Sequence, residues 1–434
     1  MQNNKSSFFQ NVDLPSDEVI AQCIHCGSCL QSCPTYNLTY DEKSSPRGRI
    51  RLIKAVAQGE LEITETFAAE MNFCLDCQAC ETACPAGVKY GLLVEAARVQ
   101  IENSKFTPGL NRFIKKFFFR MIIPDYSRLK FIARCLRFYQ RSGLQKFVNW
   151  IGILNLLSKS ISRAEKLSPQ ISSFFSDEIF QERISPRGKR RFRVLFPTGC
   201  LMNIMFSDIN KDTIEVLLRT GCEVIIPKMQ TCCGSLQAHN GDMEIARKLA
   251  KQNFDLFSRY DYDYLISNSA GCGAFMKEYG HILKSDSNYY QSAKKFSDKV
   301  LDVMEFLQLH AEFSDIEEMQ INATYHEACH LVHTQKISNQ PIEVLKKLPG
   351  LNLIPLNEAT WCCGSAGIYN IVNFDDSMKI LERKINNLRV TNAEIILTGN
   401  PGCIGQIKYG CKVFGANAEV LHPVTLINRY LSRS

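Results

Sequence analysis

Cysteines are the residues of this 434-residue chain whose spacing most clearly indicates chemistry, and the chain contains 19 of them. Eight stand in two runs of the form C-x2-C-x2-C-x3-C-P, one from Cys23 to Pro34 and one from Cys74 to Pro85. Three thiolates on one tight loop can bind three corners of an iron–sulfur cubane, and the fourth, on the following turn, reaches a second cubane. The spacing therefore predicts two [4Fe–4S] clusters.

The last cysteine of each run is expected to bind the cluster of the other run. The first ferredoxin-type set is then Cys23, Cys26, Cys29 and Cys84. The second ferredoxin-type set is Cys74, Cys77, Cys80 and Cys33. The alternative is a pair of structural zinc sites, because cysteine pairs also bind zinc through four thiolates. Zinc motifs usually place two cysteine pairs on separate knuckles, so four thiolates in one short run before a proline favour iron–sulfur clusters.

A basic helix is predicted between the two runs. Ser45 and Pro46 form a helix start signal, with serine as the N-cap and proline at the first helical position. The basic side chains that follow are Arg47, Arg49, Arg51 and Lys54. They either raise the potentials of the nearby clusters by charge and hydrogen bonding, or form a solvated helix face.

Eight further cysteines lie in an internal repeat of the C-terminal half. Its most specific feature is a Cys-Cys-Gly triplet that occurs twice, with one cysteine before and one after each triplet at closely matching spacing. The first copy contains Cys200, Cys232, Cys233 and Cys272. The second copy contains Cys329, Cys362, Cys363 and Cys403.

The repeat cysteines allow three interpretations. Each copy binds a metal centre through its four cysteines, or one copy does so and the other is structural. In the third interpretation each vicinal pair is a thiol–disulfide couple, because adjacent cysteines form strained and labile disulfides. We favour at least one further iron–sulfur centre. Three histidines near Cys329 either supply a ligand or proton carrier or only pack at a strand end: His326, His330 and His333.

Short apolar runs alternate with helical segments through the repeat and predict two α/β modules. The predicted strands are Phe192–Phe196, Glu223–Ile226 and Tyr264–Ser267, then Ala323–His326, Leu351–Leu356 and Glu394–Thr398. The repeat cysteines follow these strands, at the edge where α/β folds place their sites. We predict an α+β multidomain chain with an α-helical two-cluster ferredoxin domain at residues 1–105. Two pseudo-repeated α/β Cys-Cys-Gly modules follow at residues 190–312 and 320–434.

Residues 106–185 are predicted to be a basic, aromatic helical connector. From residue 106 to 167 aromatic side chains alternate with Arg and Lys, and the only acidic residues are Asp125 and Glu165. This composition predicts two or three amphipathic helices. They form either a surface that docks on a partner subunit or on an anionic membrane, or a bridge between two domains. Cys135 is expected to be a small buried side chain here.

Composition excludes several classes of protein. The net charge of +7 is mild and gives no support for nucleic-acid binding. The segment from Met1 to Ser16 is polar and lacks a signal-peptide core, so the cysteines indicate metal ligands in a reducing, cytoplasmic compartment. No apolar segment is long enough to span a bilayer, so any membrane association would be peripheral. No G-x-G-x-x-G follows a predicted strand, so the chain shows no flavin or nicotinamide site of its own.

The cysteine runs together with two Cys-Cys-Gly modules resemble the iron–sulfur subunits of the heterodisulfide-reductase-like family. The resemblance is greatest to the iron–sulfur subunits of bacterial glycolate oxidase (glycolate dehydrogenase). It is carried by the cysteine run from Cys23 with Cys33-Pro-Thr-Tyr and Ser45-Pro-Arg-Gly-Arg-Ile, by Tyr325-His-Glu-Ala-Cys-His, and by Trp361-Cys-Cys-Gly-Ser-Ala-Gly-Ile-Tyr. It extends from about Asp17 to the C-terminus.

The resemblance implies a non-catalytic electron-transfer subunit. Partner flavoprotein subunits would oxidise glycolate to glyoxylate, and the clusters would pass electrons towards a quinone or another membrane acceptor. The alternatives are the equivalent subunit of anaerobic glycerol-3-phosphate dehydrogenase and a thiol–disulfide enzyme of the heterodisulfide-reductase kind. The sequence departs from the latter, because neither Cys272 nor Cys403 begins a C-x2-C pair. Five-cysteine cluster binding and disulfide reduction are therefore disfavoured.

Overall fold

The computed structural model describes residues 17–104, 106, 116–152, 154, 159–313 and 316–432. The segment from Met1 to Ser16, on which the signal-peptide inference depends, lies outside the described residues. Within them, a helical N-terminal domain is followed by a helical connector and two α/β modules, so the predicted fold class is confirmed.

The N-terminal domain is built from short helices around the two cysteine loops. They are α1 (Asp17–Ala21), α2 (Pro34–Thr39), a 3-10 turn (Glu42–Ser44), α3 (Pro46–Ala57), α4 (Glu65–Phe73), α5 (Ala79–Thr82) and α6 (Tyr90–Asn103). The predicted helix start is confirmed, because Ser45 Oγ accepts a hydrogen bond from the Gly48 N–H at 2.9 Å and Pro46 is the first residue of α3. Helices α3, α4 and α6 enclose a core that includes Met71 and Leu93.

The connector contains the predicted basic helices. After a π-helical turn (Phe118–Ile122) come α7 (Tyr126–Arg141), α8 (Leu144–Ile151), α9 (Lys159–Leu167) and α10 (Ser176–Ile179). None of the residues of α8 is buried. The prediction that Cys135 is buried was wrong, because it lies on the solvent-facing side of α7. Of the helices in the described ranges, none is both long and apolar enough to cross a bilayer.

The first module is an α/β unit whose described strands form the sheet order β1-β3-β2-β4-β5. The strands are β1 (Arg183–Ile184), β2 (Phe192–Leu195), β3 (Cys222–Ile225), β4 (Tyr264–Ser267) and β5 (Val300–Asp302). Only β1 pairs antiparallel. The helices are α11 (Cys200–Met205), α12 (Ser207–Arg219), α13 (Ser235–His239), α14 (Met243–Phe257), α15 (Ala270–Lys277), α16 (Tyr279–Ile282), α17 (Tyr290–Ser297) and α18 (Val303–His310).

The second module repeats this topology with the parallel order β7-β6-β8-β9. The strands are β6 (Ile321–Tyr325), β7 (Leu351–Ile354), β8 (Ile395–Leu397) and β9 (Glu419–Leu421). A π-helical turn (His330–Thr334) is followed by α19 (Asn339–Lys346), α20 (Tyr369–Val372), α21 (Phe374–Val390), α22 (Pro401–Phe414) and α23 (Pro423–Leu431). In both modules the chain goes from a central strand (β2 or β6) to the neighbouring strand on one side (β3 or β7). It then crosses to the neighbouring strand on the other side (β4 or β8). This creates a switch point, where open parallel sheets bind ligands.

The two modules are packed against each other. They share one apolar core, in which side chains such as Ile214 and Val216 of the first module join Leu426 and Ile427 of the second. The loops before the last cysteine of each module also meet, because the Ala270 N–H donates to the Gly399 carbonyl at 3.2 Å. The switch points of the two sheets therefore lie near each other.

Candidate functional site

The first ferredoxin-type set is brought together at the protein surface. Its four cysteines, Cys23, Cys26, Cys29 and Cys84, line one cavity, whose wall Cys80 of the other set also reaches. The loop turns sharply at His25 and Gly27, which both have positive φ. Cys26 is exposed, and burial raises the pKa of Cys29 to about 11. A bound cation would be needed to keep such a thiol ionised at neutral pH.

The second ferredoxin-type set lines a separate and deeper cavity. Its members are Cys33, Cys74, Cys77 and Cys80, of which only Cys77 is not fully buried. Each cavity thus contains three thiols of one loop and the last thiol of the other, which is the donor arrangement that a two-cluster ferredoxin needs. The residues present fit two cubanes bound in the crossed arrangement.

Arg49 is a fully buried cation on the wall of the second cavity. Its Nε donates to the Glu70 carbonyl at 2.8 Å and its Nη1 to Thr35 Oγ1 at 3.0 Å. Thr35 Oγ1 in turn lies 3.2 Å from Cys33 Sγ. A buried guanidinium requires compensating negative charge, which the Glu70 carboxylate, 3.8 Å from Arg49 Nη2, supplies in part and thiolate ligands would add to. The solvated-face interpretation therefore fails for Arg49, whereas it suits Arg51, whose side chain is 60% exposed.

The four cysteines of the first module form a row of neighbouring sulfurs. Cys200 Sγ lies 3.6 Å from Cys232 Sγ. Cys233 is close enough to Cys232 and Cys272 for hydrogen bonds with both to raise its pKa, together with burial. A disulfide would need about 2.05 Å, whereas two thiolates on one tetrahedral ion lie about 3.8 Å apart. The spacing therefore resembles a set of metal ligands more than a disulfide.

The glycine of each Cys-Cys-Gly triplet explains how adjacent cysteines both reach the switch point. Gly234 and Gly364 have φ of +100° and +84°. A Cβ at Gly364 would lie 2.8 Å from the Ser377 carbonyl oxygen, and one at Gly234 would lie 2.9 Å from the Phe275 ring. Because only glycine fits this left-handed, crowded position, the chain can turn immediately after the paired thiols.

The second module contains the same row of sulfurs and an additional imidazole. Cys363 Sγ lies 3.2 Å from Cys403 Sγ, and a hydrogen bond to Cys362, together with burial, raises the pKa of Cys329. A ring nitrogen of His326 lies within 4.8 Å of Cys363 Sγ and Cys403 Sγ. Burial and the nearby Lys384 hold the pKa of His326 well below its usual value, so the ring is neutral.

Lys384 is a functional candidate that the sequence interpretation missed. Its side chain is fully buried, and its Nζ donates to the carbonyls of Glu358 and Ala359. Burial lowers the pKa of Lys384 to about 8, although the neighbouring thiols of Cys363 and Cys362 act in the opposite direction. The available signal was its position on the apolar stripe of α21, four residues after Ile380, where a lysine is unusual.

The other two histidines near Cys329 pack at the junction with the N-terminal domain. The ring of His330 lies 5.1 Å from that of His239. His333 Nδ1 lies 3.0 Å from Thr82 Oγ1. Burial lowers the pKa of both His330 and His333 to about 4. The packing interpretation therefore suits His330 and His333 better than it suits His326.

A buried ion cluster joins the first module to the loop of the second ferredoxin-type set. His239 Nδ1 lies 3.1 Å from Asp76 Oδ2 and 2.8 Å from Glu95 Oε1, and Arg98 Nη1 lies 3.4 Å from Asp76 Oδ2. Burial alone would lower the pKa of His239, but its hydrogen bonds to the two carboxylates raise it to about 10. No sequence pattern indicated this cluster, because its members come from three distant segments.

The second ferredoxin-type set lies beside the second module. Cys77 packs against a small apolar core that contains Leu75, Trp361 and Cys362. Burial and the neighbouring Cys329 thiol raise the pKa of Cys77. The sulfur donors of the N-terminal domain thus continue into those of the second module, while the first ferredoxin-type set remains at the surface.

Comparison with known proteins agrees with these sites. A family model described as "4Fe-4S dicluster domain" matches residues 19–88, and one described as "Cysteine-rich domain" matches residues 194–277 and 323–408. A third model, "Glycolate oxidase iron-sulfur subunit, linker region", matches residues 110–168. The predicted ferredoxin-type domain and the predicted repeat are confirmed.

Relatives of known name cover most of the chain. The "Probable glycolate oxidase iron-sulfur subunit" of Bacillus subtilis is 40% identical over 92% of this chain and 91% of its own length. The "Glycolate oxidase iron-sulfur subunit" of Escherichia coli is 30% identical over 90% of both chains. The "Lactate utilization protein A" of a Geobacillus species is 30% identical over 54% of this chain and 98% of its own length. This chain therefore belongs to the family of glycolate oxidase iron–sulfur subunits.

Proposed function

We propose that this chain is the electron-transfer subunit of a flavin-dependent glycolate dehydrogenase complex. Partner flavoprotein subunits oxidise glycolate to glyoxylate, and this chain passes the electrons towards a quinone or another membrane acceptor. When bound, its two [4Fe–4S] clusters supply one-electron transfer, which a flavin that has accepted two electrons requires. The complex works in the cytoplasm, at the inner face of the membrane. The family membership of the chain and its two cysteine-lined cavities support this proposal.

The observation that carries the proposal is the unequal burial of the two ferredoxin-type sets. Cys26 of the first set is exposed, and beside it Ile24 is 68% exposed. The second set lies deep in the protein, with Arg49 and Tyr90 on its cavity wall. An electron that enters at the exposed set is thus led inwards to the buried set. The surface around Ile24 is the contact area that we propose for a flavoprotein partner.

The proposed route continues from the buried set to the second module. Cys77 and Cys362 belong to neighbouring sulfur groups, packed around one apolar core that excludes water. We therefore propose that the repeat cysteines bind a further metal centre and that the second module lies next on the route. In this proposal the chain has the four parts predicted above, namely the ferredoxin-type domain, the helical connector and the two modules, with the boundaries given there. The eight ferredoxin-type cysteines are the cluster ligands.

Lactate is a second candidate substrate of the complex. A relative that is 30% identical over 54% of this chain is named for lactate utilisation. Lactate and glycolate are both 2-hydroxy acids and differ by one methyl group. Discrimination between them would take place on the flavoprotein subunits, so this chain is compatible with either substrate.

Anaerobic purification of the full chain, followed by iron, sulfide and zinc analysis and EPR of the reduced protein, tests cluster binding. We expect at least about eight irons per chain and two interacting [4Fe–4S] signals. Cys77→Ser and Cys26→Ser should each lose about half of that iron, whereas Cys135→Ser, at an exposed position on α7, should retain all of it. Zinc in place of iron, without sulfide, would contradict the proposal.

Cluster reduction by substrate tests the role in the complex. The chain is co-purified with its flavoprotein subunits, and glycolate or lactate is added under anaerobic conditions. We expect the [4Fe–4S] signals to appear with glycolate and to be absent when the flavoprotein subunits are omitted. Reduction of the clusters by lactate but not by glycolate would show that lactate is the substrate of the complex. Clusters that stay oxidised with both acids would contradict the proposed function.

A further inference from the structure

His326 is a buried imidazole that the surrounding protein leaves without a partner. It is 1% exposed, and neither ring nitrogen makes a hydrogen bond to the residues that the structure describes. The Ala359 carbonyl lies near enough to affect the ring, but without the alignment of a hydrogen bond. An unpaired buried polar group costs about 1–3 kcal/mol, so its presence in a native protein calls for an explanation, such as a bound ion or water.

The imidazole lies beside two sulfurs that are already close together. One ring nitrogen lies within 4.8 Å of both Cys363 Sγ and Cys403 Sγ, which are 3.2 Å apart. Nitrogen and sulfur ligands of one tetrahedral zinc ion lie about 3.6 Å from each other. Small side-chain rotations would therefore place all three donors on one ion. A backbone carbonyl near the ring, here that of Ala359, is also the usual support for a metal-bound histidine.

The first module lacks this imidazole. In both modules the residue in question precedes the first cysteine by three positions, in the loop that follows the central strand, and it is Pro197 in the first module and His326 in the second. Proline offers no side-chain donor. Each module therefore contains four thiols in the same arrangement, but the fifth potential ligand is present in the second module and absent from the first, although the fold around these residues is repeated.

We propose that the second module binds a transition-metal centre with mixed imidazole and thiolate ligation, in which His326 is a ligand together with Cys363 and Cys403. The thiols of Cys329 and Cys362 are further donors, of which a tetrahedral ion would take one. Sites with both nitrogen and sulfur ligands select zinc or iron, and both of these ions bind imidazole and thiolate. The first module would bind through sulfur only. This inference rests on the metal-binding role proposed above and specifies the ligands of one site.

Metal analysis of full-length variants tests the inference. The anaerobically purified wild type is compared with His326→Asn, which is polar and smaller but a poor ligand, and with His326→Cys, which restores a ligand. The matched control is His333→Asn, since His333 is also buried but bonds to Thr82. We expect His326→Asn to lose at least one equivalent of zinc or iron per chain, while His326→Cys and His333→Asn retain it. The two ferredoxin-type EPR signals should be unchanged in all of these proteins.

Wild-type metal content in His326→Asn would overturn the inference. If that variant is insoluble, spectroscopy of the metal ligands in the wild-type protein tests the inference instead. A zinc shell that contains only sulfur, or an iron centre of the module without coupling to 15N-labelled histidine, would overturn it, and a histidine nitrogen bound to either metal would support it. Failure of the proposed function would look different, because the wild type would then lack the two ferredoxin-type EPR signals.

Discussion

His239 of the first module and the buried Asp76 of the second cysteine loop form a largely buried ion pair, with 3.1 Å between Nδ1 and Oδ2. Glu95 lies on the same imidazole nitrogen at 2.8 Å, and the carbonyl of His239 accepts a hydrogen bond from Arg98 at 2.9 Å. Asp76 stands between Cys74 and Cys77, so this pair connects the backbone of the second ferredoxin-type set to the first module. It is one of several contacts between the N-terminal domain and the modules, another being that of Thr82 with His333.

Replacing His239 should destabilise the protein. His239→Gln removes the positive partner of Asp76 and Glu95, and breaking a buried ion pair from one side costs about 3–5 kcal/mol. Urea unfolding of the full chain measures the loss. The control is Arg429→Gln, which breaks an exposed ion pair to Glu419 and should cost no more than about 1 kcal/mol. Equal losses in the two variants would contradict the structural role of His239.

The same pair predicts a pH dependence of stability. The pKa of His239 is raised from 6.5 in the unfolded chain to about 10 in the folded protein. Its contribution is therefore fully present below pH 6.5 and is lost as the pH rises to about 10. His330, whose ring lies against His239, has a pKa of about 4 and stays neutral throughout this range. Burial alone would raise the pKa of Asp76, but its hydrogen bond to His239 lowers it, so Asp76 stays charged over this range.

The free energy of unfolding is to be measured at several pH values between 6 and 10 for the wild type and His239→Gln. The difference between the two should be greatest at pH 6 and should shrink as the pH rises. Thiols and lysines titrate in both proteins, so their contribution to the free energy of unfolding cancels in the difference between the wild type and His239→Gln. A difference that does not change with pH would show that His239 acts by packing and not by charge.

The sequence predicted those parts of the site that depend on local spacing. The cysteine runs, the helix start at Ser45 and the repeated triplets are short patterns, and their local structure follows from a few neighbouring residues. The six predicted strands were located within about two residues, because each is a short apolar run. The short outer strands β1, β5 and β9 were not predicted. Fold class and the two ferredoxin-type sets could be inferred in this way.

Long-range contacts could not be inferred. His239 meets Asp76 and Glu95 only because the first module packs on α6, and Lys384 reaches the sulfur groups only because α21 covers the second sheet. Cys135 was placed wrongly for the same reason, since nothing local says which side of α7 faces solvent. Apolar residues of α7 occur on more than one face, since Leu129 and Ala133 are buried whereas Phe131 and Phe138 are exposed, and burial there depends on what the helix contacts.

Arg49 should tune the second cluster site through its charge. Arg49→Met removes a buried cation beside Cys33 and leaves the thiolate set with less compensation, so the midpoint potential of the second cluster should become more negative. The loss of the pairing with Glu70 should also destabilise the chain by about 3 kcal/mol. EPR-monitored redox titration measures the potential. Arg51→Met, at a side chain that is 60% exposed, is the control and should change neither quantity.

Gly48 should resist substitution although it lies in a helix, where alanine usually stabilises by about 1 kcal/mol. A Cβ at Gly48 would lie 1.9 Å from the Glu42 carbonyl oxygen. Gly48→Ala must therefore push α3 away from the 3-10 turn, and we expect a net loss of about 1–3 kcal/mol in thermal or urea unfolding. Gly405→Ala, in helix α22 with only an ordinary contact to Pro169, should be neutral or stabilising. Destabilisation by both substitutions would contradict the crowding argument.

Helix α8 should bind anionic membranes through an exposed apolar face. Leu144, Phe147 and Ile151 share one side of the helix and are 45–55% exposed, and the neighbouring Trp150 is 82% exposed. Arg141 and Lys146 are also nearby and have no carboxylate partner in the described ranges. Aromatic side chains beside basic ones match the interface of an anionic bilayer, where each buried aromatic side chain contributes about 1.5–3 kcal/mol.

Co-sedimentation with vesicles of equal parts phosphatidylcholine and phosphatidylglycerol tests this expectation. The double variant Phe147→Ser/Trp150→Ser should bind at least about tenfold more weakly than the wild type, because it loses two such contributions. The control is Met229→Ser/Val390→Ser, which removes two side chains of the modules that are 93% and 81% exposed. Wild-type binding should also weaken with salt, since lysine and arginine attraction to the lipid is screened. Equal losses in both double variants, or equal binding to vesicles of phosphatidylcholine alone, would contradict the role of α8 as the contact with an anionic membrane.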